Sequence, residues 1–131
     1  MDTSPKTVSA RSVNVRTARI WYAGADRLDI TRKSAGIAGL PFAPSWKILG
    51  PMLALRRSGG DELAAWPKYA EAYAEEMRAS WRSHRAAWDA LLARNEVTLL
   101  CYCKDAAHCH RTLLAGLLAK LGATVLGERD S

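Results

Sequence analysis

The sequence predicts a compact single α/β domain, with a small, mostly parallel sheet flanked by helices in a three-layer, Rossmann-like sandwich. The first observation is the order of three segments near the carboxyl terminus. The apolar run VTLLCYC (97–103) predicts a buried strand, helically spaced leucines follow over residues 109–121, and ATVL (123–126) predicts another strand. A strand, a helix and a strand within about thirty residues predict a right-handed unit with parallel strands.

Chain length and a second strand pattern support this fold. At 131 residues the chain has room for one hydrophobic core. In VNVRTARIWY (13–22) apolar and polar residues alternate at first, which predicts a strand. We expect residues 1–10 to form a flexible amino-terminal arm and residues 11–131 to form the single domain.

The segment after the first predicted strand shows no regular pattern. Residues 23–39 contain three glycines without sustained periodicity, which predicts a loop. The two prolines of LPFAPSW (40–46) predict extended backbone after that loop. These residues are therefore expected to connect the strand to the helices.

Two helical regions are predicted in the middle of the chain. Ser45 is suited to cap a short helix that Gly50-Pro51 breaks or restarts. Asp61 is suited to cap the next segment, and residues 68–94 are the clearest helical region, with a break expected near Ser83. Large apolar residues recur there every four positions and predict a core-facing stripe, formed by Tyr69, Tyr73, Met77 and Trp81.

Composition narrows the class of protein. No run approaches the roughly 18 apolar residues of a membrane helix, and the amino-terminal residues lack the apolar stretch of a secretory signal. We therefore expect a cytoplasmic protein without a membrane partner, whose thiols stay reduced. The net charge of +6 favours anionic partners, namely a phosphorylated small molecule or nucleotide, and also allows nucleic acid.

The segment CYCKDAAHCHR (101–111) contains all three cysteines and two of the three histidines. Cys103 ends a predicted strand, and a helix begins a few residues later, which is where open α/β sheets bind ligands. The amides and dipole of that helix favour an anion, and Arg111 adds a positive charge. We therefore predict an anion site with Arg111 and His110 as polar contacts, Cys109 beside them, and Cys103 as the best-placed thiol.

Alternative roles for the cysteines remain open. Cys101, Cys103, Cys109 and a histidine could supply the ligands of a zinc ion. The C-x-C spacing on a strand is less suitable than the usual C-x₂-C, so no metal or other cofactor is predicted and zinc is kept as an alternative. A phosphatase loop requires C-x₅-R, whereas seven residues separate Cys103 from Arg111. The cysteines could also be buried as small apolar residues.

Three segments in order resemble a known family: RTARIWYAGADRLDITRKS, FAPSW and EVTLLCYCKDAAHCHRTLLAGLLAKLGA. Together they are similar to the bacterial and phage branch of the family catalogued as domain of unknown function 488, from about Thr17 to Gly127. The resemblance implies a compact α/β domain and no established activity. It also pairs the DRLDIT segment (26–31) with the cysteine segment, so that the two loops are expected at one edge of the sheet.

This pairing adds candidates. Asp26 and Asp29 are acid–base candidates, and Arg27 is a second positive contact. Tyr22 and Trp46 could stack on a base, although a position in an aromatic core is the favoured interpretation. Asp26 and Asp29 could instead cap a turn. We thus predict an enzyme-like domain that binds an anionic ligand; the alternatives are a basic, non-enzymatic module for nucleic acid or protein, and a small zinc-binding domain. The predicted catalytic residues are Cys103, Asp26 and Asp29, and the predicted ligand-binding residues are Arg111, His110, Arg27, Cys109 and Tyr22.

Overall fold

The computed structural model describes residues 12–129, so the arm predicted for residues 1–10 lies outside the described part. The strands in that part are β1 (Asn14–Arg19), β2 (Arg27–Asp29), β3 (Glu96–Cys101) and β4 (Thr124–Glu128). The α-helices are α1 (Trp46–Arg57), α2 (Glu62–Ser83), α3 (Arg85–Leu92) and α4 (His110–Lys120). Short 3-10 turns lie at Leu40–Phe42 and Ala106–His108. The predicted α/β fold, a parallel sheet with helices in a compact Rossmann-like sandwich, is confirmed.

The four strands form one parallel sheet in the order β2-β3-β1-β4. β3 is buried from its second residue onward, as its apolar sequence predicts for a central strand. Val15, Val97 and Leu99 belong to the core cluster, which side chains of the helices complete: Tyr73, Met77, Trp88, Leu114 and Leu118. The predicted apolar stripe of α2 is therefore a core stripe.

Strand β2 lies inside the segment that the sequence predicted to be a loop, and that prediction is wrong. Leu28 pairs in register with Leu99 of β3, and Ile30 N donates to Leu100 O at 3.2 Å. Leu28 and Ile30 are both buried, so this segment alternates into the core. A three-residue strand has too few positions for its alternation to stand out in the sequence; pairing with β3 stabilises it.

Two prolines lie within helices, and Pro51 does so although Gly50-Pro51 was predicted to break or restart its helix. Pro51 is inside α1 and Pro67 is inside α2, which begins earlier with Ala64 N bonded to the Asp61 side chain at 3.0 Å. Both prolines are exposed, and so are Lys47 and Leu63, four residues before them. Water can therefore reach the carbonyl groups that each proline leaves without an N–H partner. The predicted break near Ser83 is confirmed, since α2 ends there.

No helix among the described residues is both long enough and apolar enough to span a membrane.

Candidate functional site

A cavity of about 350 Å³ lies at the carboxyl edge of the sheet, where β2 and β3 end. This volume lies within the roughly 300–1,000 Å³ typical of small-molecule sites. The segments after the two strands form one side, and α1 and α2 form the other. The lining residues are Thr31, Arg32 and Lys33 after β2, the group Cys101, Tyr102, Cys103, His108, Cys109 and His110 from the end of β3 onward, and Trp46, Leu49, Leu53, Arg56, Trp66 and Tyr69 from the helices.

Three cationic side chains line this cavity, and no carboxylate is among the described residues that do so. The Arg32 side chain is held by two hydrogen bonds: Nε donates to Pro44 O at 2.8 Å, and Nη2 donates to Ala43 O at 3.2 Å. Lys33 lies with Nζ 5.6 Å from the ring centre of Tyr102. Both residues lie in the turn after β2, which ends at Asp29.

Arg56 of α1 is the third cation and reaches the cysteines. Its Nε donates to Glu62 Oε1 at 2.7 Å, and its Nη1 lies 3.5 Å from Cys103 Sγ. Partial burial lowers the pKa of Arg56, but Glu62 and Cys103 raise it by more, so the group is firmly cationic. The sequence prediction did not include Arg56, because nothing in an amphipathic helix pattern indicates which cation faces a cavity.

Aromatic rings form much of the opposite wall. Trp46 is 55% exposed and lines the cavity, so it is not a core residue. Trp66 stacks on Tyr69 with ring centres 5.3 Å apart. The ring of Trp66 also makes an edge contact with the ring of His108, with centres 5.3 Å apart. Tyr69 belongs to the predicted apolar stripe, and burial raises the pKa of its hydroxyl far above the ordinary value, so it stays neutral.

The three cysteines form one cluster, called here the three-cysteine cluster. The Sγ atoms of Cys101, Cys103 and Cys109 lie within 4.8 Å of one another. Those of Cys101 and Cys109 are at disulfide distance, and both residues are buried. Cys103 is the free, half-buried thiol. Because β3 ends at Cys101, Cys103 lies in the following loop, and the prediction that it ends the strand is wrong by two residues.

His110 lies at the start of α4 beside the cluster. Its Nε2 is 2.8 Å from Ile30 O, so Nε2 carries the proton and donates to that carbonyl. Nδ1 therefore presents a lone pair, 3.9 Å from Cys109 Sγ. Burial lowers the pKa of His110 to about 4, which leaves the ring neutral at pH 7. His110 is thus a neutral acceptor at the cavity and not a cationic contact.

Arg111 lies behind the cavity and is fully buried. Its Nε and Nη2 donate to the two carboxylate oxygens of Glu128 at 3.1 and 2.8 Å. Its Nη1 is 3.0 Å from Cys101 Sγ and donates to Cys103 O at 2.8 Å. The guanidinium is therefore occupied by groups of the chain, and it holds the loop of Cys103 in place rather than lining the cavity.

Comparison with known protein families agrees with the resemblance found in the sequence. Residues 6–122 match the family described as "Active DUF488-N3 subclade". The chain belongs to the DUF488 family. No curated protein and no solved structure matches it. The matched residues include β1 to α4 and hence the cavity and the three-cysteine cluster, whereas β4 lies after them.

Part of the DRLDIT segment of this DUF488 domain forms a separate polar cluster. Asp26 accepts hydrogen bonds from Tyr22 Oη and Thr98 Oγ1, each at 2.6 Å, and Arg129 Nη2 lies 3.5 Å away. Burial raises the pKa of Asp26, but the Thr98 and Tyr22 hydrogen bonds lower it by more, so the carboxylate is ionised. Arg27 donates to the carbonyl groups of Tyr22 and Ile20. Asp26, Tyr22 and Arg27 are not among the cavity-lining residues, so this cluster braces the connection from β1 to β2.

Asp29 does not line the cavity, but it accepts hydrogen bonds from Thr31, which does. Its carboxylate accepts from Thr31 N at 2.9 Å, from Thr31 Oγ1 at 2.7 Å and from Ser34 Oγ at 2.5 Å. The Ser34 hydroxyl in turn lies 2.9 Å from Tyr102 Oη. Asp29 therefore caps the turn after β2, the alternative that the sequence left open, and links it to the loop after β3. Of the eight predicted site residues, Cys103, Cys109 and His110 line the cavity.

A bulge in β4 positions Glu128, the ion-pair partner of Arg111. The register of β1 with β4 shifts between Val15 and Arg16, and Gly127 has φ of +104°, which glycine adopts without strain. β4 consequently extends to Glu128, whose Oε1 also accepts a hydrogen bond from Thr17. The prediction that the strand ends at residue 126 is therefore wrong. In the sequence, a glycine followed by charged residues resembles a polar tail, so the last two residues of the strand were missed.

Glu128 should make the fold sensitive to acid. Partial burial raises its pKa, but the hydrogen bonds from Arg111 and Thr17 lower it by more, to below the ordinary 4.5. A lowered pKa stabilises the fold above pH 4.5, and that stabilisation is lost as the pH falls through the folded-state pKa. We expect chemical denaturation of the Glu128→Gln variant to show a weaker loss of stability below pH 4.5 than the wild type. Glu75→Gln, at an exposed ion pair with Arg78, is the control and should keep the wild-type slope; an unchanged slope in Glu128→Gln would contradict the assignment.

Proposed function

We propose that this DUF488 domain binds an anionic ligand with a flat ring, of the nucleotide type, in the cavity at the carboxyl edge of its sheet. The observation that carries the proposal is the lining itself: Arg32, Lys33 and Arg56 face a space that no described carboxylate lines, beside several aromatic rings. A cleft with one sign of charge attracts ligands of the opposite sign. Arginine and lysine are both well suited to bind phosphate groups.

The start of α4 supports an anion at the same place. Cys109 is the N-cap of this eleven-residue helix, and its side chain makes no capping hydrogen bond. Cys109 and His110 both line the cavity. The first amides and the positive end of the helix dipole therefore add to the attraction for a negative group. Asp105 caps the preceding 3-10 turn instead, by accepting from Ala107 N at 3.0 Å.

The aromatic wall supports a flat ring as the other half of the ligand. Trp46 is largely exposed although it lies at the start of a helix, and both Trp46 and Trp66 line the cavity. Stacking of a base on an aromatic ring contributes about 1–3 kcal/mol and tolerates any base. A ligand that combines a ring with a phosphate would therefore bind more tightly than either part alone.

An enzymatic role is the second part of the proposal. Cys103 is a free thiol that lines the cavity, with its Sγ 3.5 Å from Arg56 Nη1, so it is the nucleophile candidate. Asp29 would act only by orienting Thr31 and Tyr102, and Asp26 is the weaker acid–base candidate because its oxygens are occupied by Tyr22 and Thr98.

Replacing Arg56 tests the proposal. We expect nucleoside monophosphates to bind the wild-type chain and to bind Arg56→Gln about 10- to 100-fold more weakly, because one charge-assisted hydrogen bond is lost. Isothermal titration calorimetry with the monophosphate, its parent nucleoside and inorganic phosphate measures the ring and phosphate contributions separately. Arg57→Gln is the matched control, since Arg57 is exposed and does not line the cavity.

Two results would decide against this site. Equal affinity of Arg56→Gln and Arg57→Gln for the monophosphate would show that the cavity is not where it binds. Strongly salt-dependent binding of an RNA or DNA oligonucleotide that Arg56→Gln leaves intact would favour the other prediction from the sequence, a basic nucleic-acid-binding module.

A further inference from the structure

The three-cysteine cluster brings together three of the four ligands that a tetrahedral metal site needs. Cys101 ends β3, Cys103 follows two residues later, and Cys109 precedes α4, yet their Sγ atoms lie within 4.8 Å of one another. In a zinc site with Zn–S bonds of about 2.3 Å, tetrahedral angles place the sulfur atoms about 3.8 Å apart. Three separate chain positions thus bring soft ligands to one point.

The backbone around the cluster fits an ion better than a covalent bridge. The Cα atoms of Cys101 and Cys109 are 7.5 Å apart. Disulfides usually join Cα atoms separated by roughly 4.4–6.8 Å. This wider Cα separation suits two thiolates that bind one ion, with their sulfur atoms further apart than in a disulfide. The C-x-C spacing that argued against zinc in the sequence does not apply, because Cys103 has left the strand.

His110 supplies the fourth donor. Its Nδ1 carries the lone pair, because Nε2 donates to Ile30 O at 2.8 Å. Nδ1 lies 3.9 Å from Cys109 Sγ, against about 3.5 Å expected between a sulfur and a nitrogen ligand of one zinc ion. A metal-binding histidine commonly donates its other N–H to a carbonyl group in this way. The buried ring is therefore oriented as a ligand.

Two arginines compensate the charge of such a site. Three thiolates and one Zn²⁺ carry a net charge of −1, since the histidine is neutral. Arg111 Nη1 lies 3.0 Å from Cys101 Sγ, and Arg56 Nη1 lies 3.5 Å from Cys103 Sγ. Both donate toward sulfur, and such hydrogen bonds would orient and stabilise the thiolates that bind the ion.

We propose that Cys101, Cys103, Cys109 and His110 Nδ1 bind one zinc ion. Each thiol releases its proton to solvent as its Zn–S bond forms, and the metal stays divalent throughout. Four protein ligands make a closed, structural site that ties β3, the loop after it and α4 together at the cavity edge. The site goes beyond the proposed ligand binding and does not depend on it, but it excludes Cys103 as a free nucleophile.

Metal analysis of the full chain tests the site. We expect the protein purified under reducing conditions to contain about one equivalent of zinc. Replacement by Co²⁺ should give the intense thiolate-to-cobalt charge-transfer absorption of a tetrahedral sulfur site. Less than about a tenth of an equivalent of zinc, together with no charge-transfer band on adding Co²⁺, would overturn the proposal.

Variants assign the ligands. Cys103→Ser is the most informative cysteine variant because Cys103 is only half-buried, and it should lose the bound zinc while circular dichroism reports whether the fold persists. His110→Gln can keep an N–H toward Ile30 O but lacks Nδ1, so it should lose zinc to a chelator faster than the wild type. His84→Gln, between α2 and α3, is the matched control and should retain zinc like the wild type.

The remaining outcomes are also decisive. A Cys101–Cys109 disulfide found by mass spectrometry in the reduced preparation would overturn the proposal, as would full zinc retention by Cys103→Ser. Nucleotide titration of the zinc-loaded chain separates this proposal from the previous one, because loss of the monophosphate site would leave the zinc content unchanged.

Discussion

Arg111→Ala is expected to lower the free energy of unfolding by about 3–5 kcal/mol, the range for removing one partner of a buried ion pair. The side chain of Arg111 is fully buried, and that of Glu128 is 32% exposed. The guanidinium also donates to Cys103 O and contacts Cys101 Sγ. Its removal therefore takes the Arg111 hydrogen bonds away from the Glu128 carboxylate, the Cys103 carbonyl and the Cys101 sulfur, and it leaves an empty volume.

Urea denaturation followed by circular dichroism measures this change. Arg111→Lys should fall between the alanine variant and the wild type, because lysine keeps the charge but cannot form two parallel hydrogen bonds with Glu128. Arg78→Ala is the control: its ion pair with Glu75 has side chains 56% and 68% exposed, and we expect a change below about 1 kcal/mol. A comparable small change in Arg111→Ala would show that the buried pair does not stabilise the fold.

Trp88→Ala should destabilise the chain by about 3–5 kcal/mol through loss of the largest fully buried side chain. Trp88 of α3 is 2% exposed and packs edge-on against Phe42, with ring centres 4.9 Å apart, and against Trp81 at 5.6 Å. Its Nε1 donates to Ser80 Oγ at 3.0 Å. The substitution thus creates a cavity between α2, α3 and the segment before α1, and leaves a buried hydroxyl without its donor.

The same denaturation experiment with Trp21→Ala provides the comparison. Trp21 is 67% exposed, so its replacement should change stability by less than about 1 kcal/mol. Trp88→Phe retains much of the packing volume and loses the Ser80 hydrogen bond, and should give an intermediate value. If Trp88→Ala matched Trp21→Ala, the placement of α3 against the core would be wrong.

Much of the fold was predictable because its strongest patterns are local. The apolar run of β3, the leucine spacing of α4 and the four-residue stripe of α2 each report on the chain within one element. The capping residue Asp61 likewise acts within a single turn, and its hydrogen bond to Ala64 N is present. Such features depend on neighbours a few residues away, so the sequence contains all the information that they need.

The candidate site was predictable only in part. The cysteine segment indicated the carboxyl edge of the sheet, and Cys103, Cys109 and His110 do line the cavity there. The helix pattern of α1 and α2 could not show that Trp46, Trp66 and Arg56 form the opposite wall. A periodic pattern separates a buried face from an exposed one, and a cavity wall belongs to neither.

The amino-acid sequence by itself determined the α/β class, the parallel unit of β3, α4 and β4, and the concentration of sulfur and nitrogen donors after β3. Only the tertiary structure decided which charged side chains pair with each other inside the chain and which remain available to a ligand. The sequence predicted that Arg111 contacts an anionic ligand. In the structure its guanidinium instead pairs with Glu128, seventeen residues later, because the bulge at Gly127 turns that carboxylate inward. The physical reason is that a charge is neutralised by whatever lies within a few ångströms, and distance in the folded chain is not visible in the sequence.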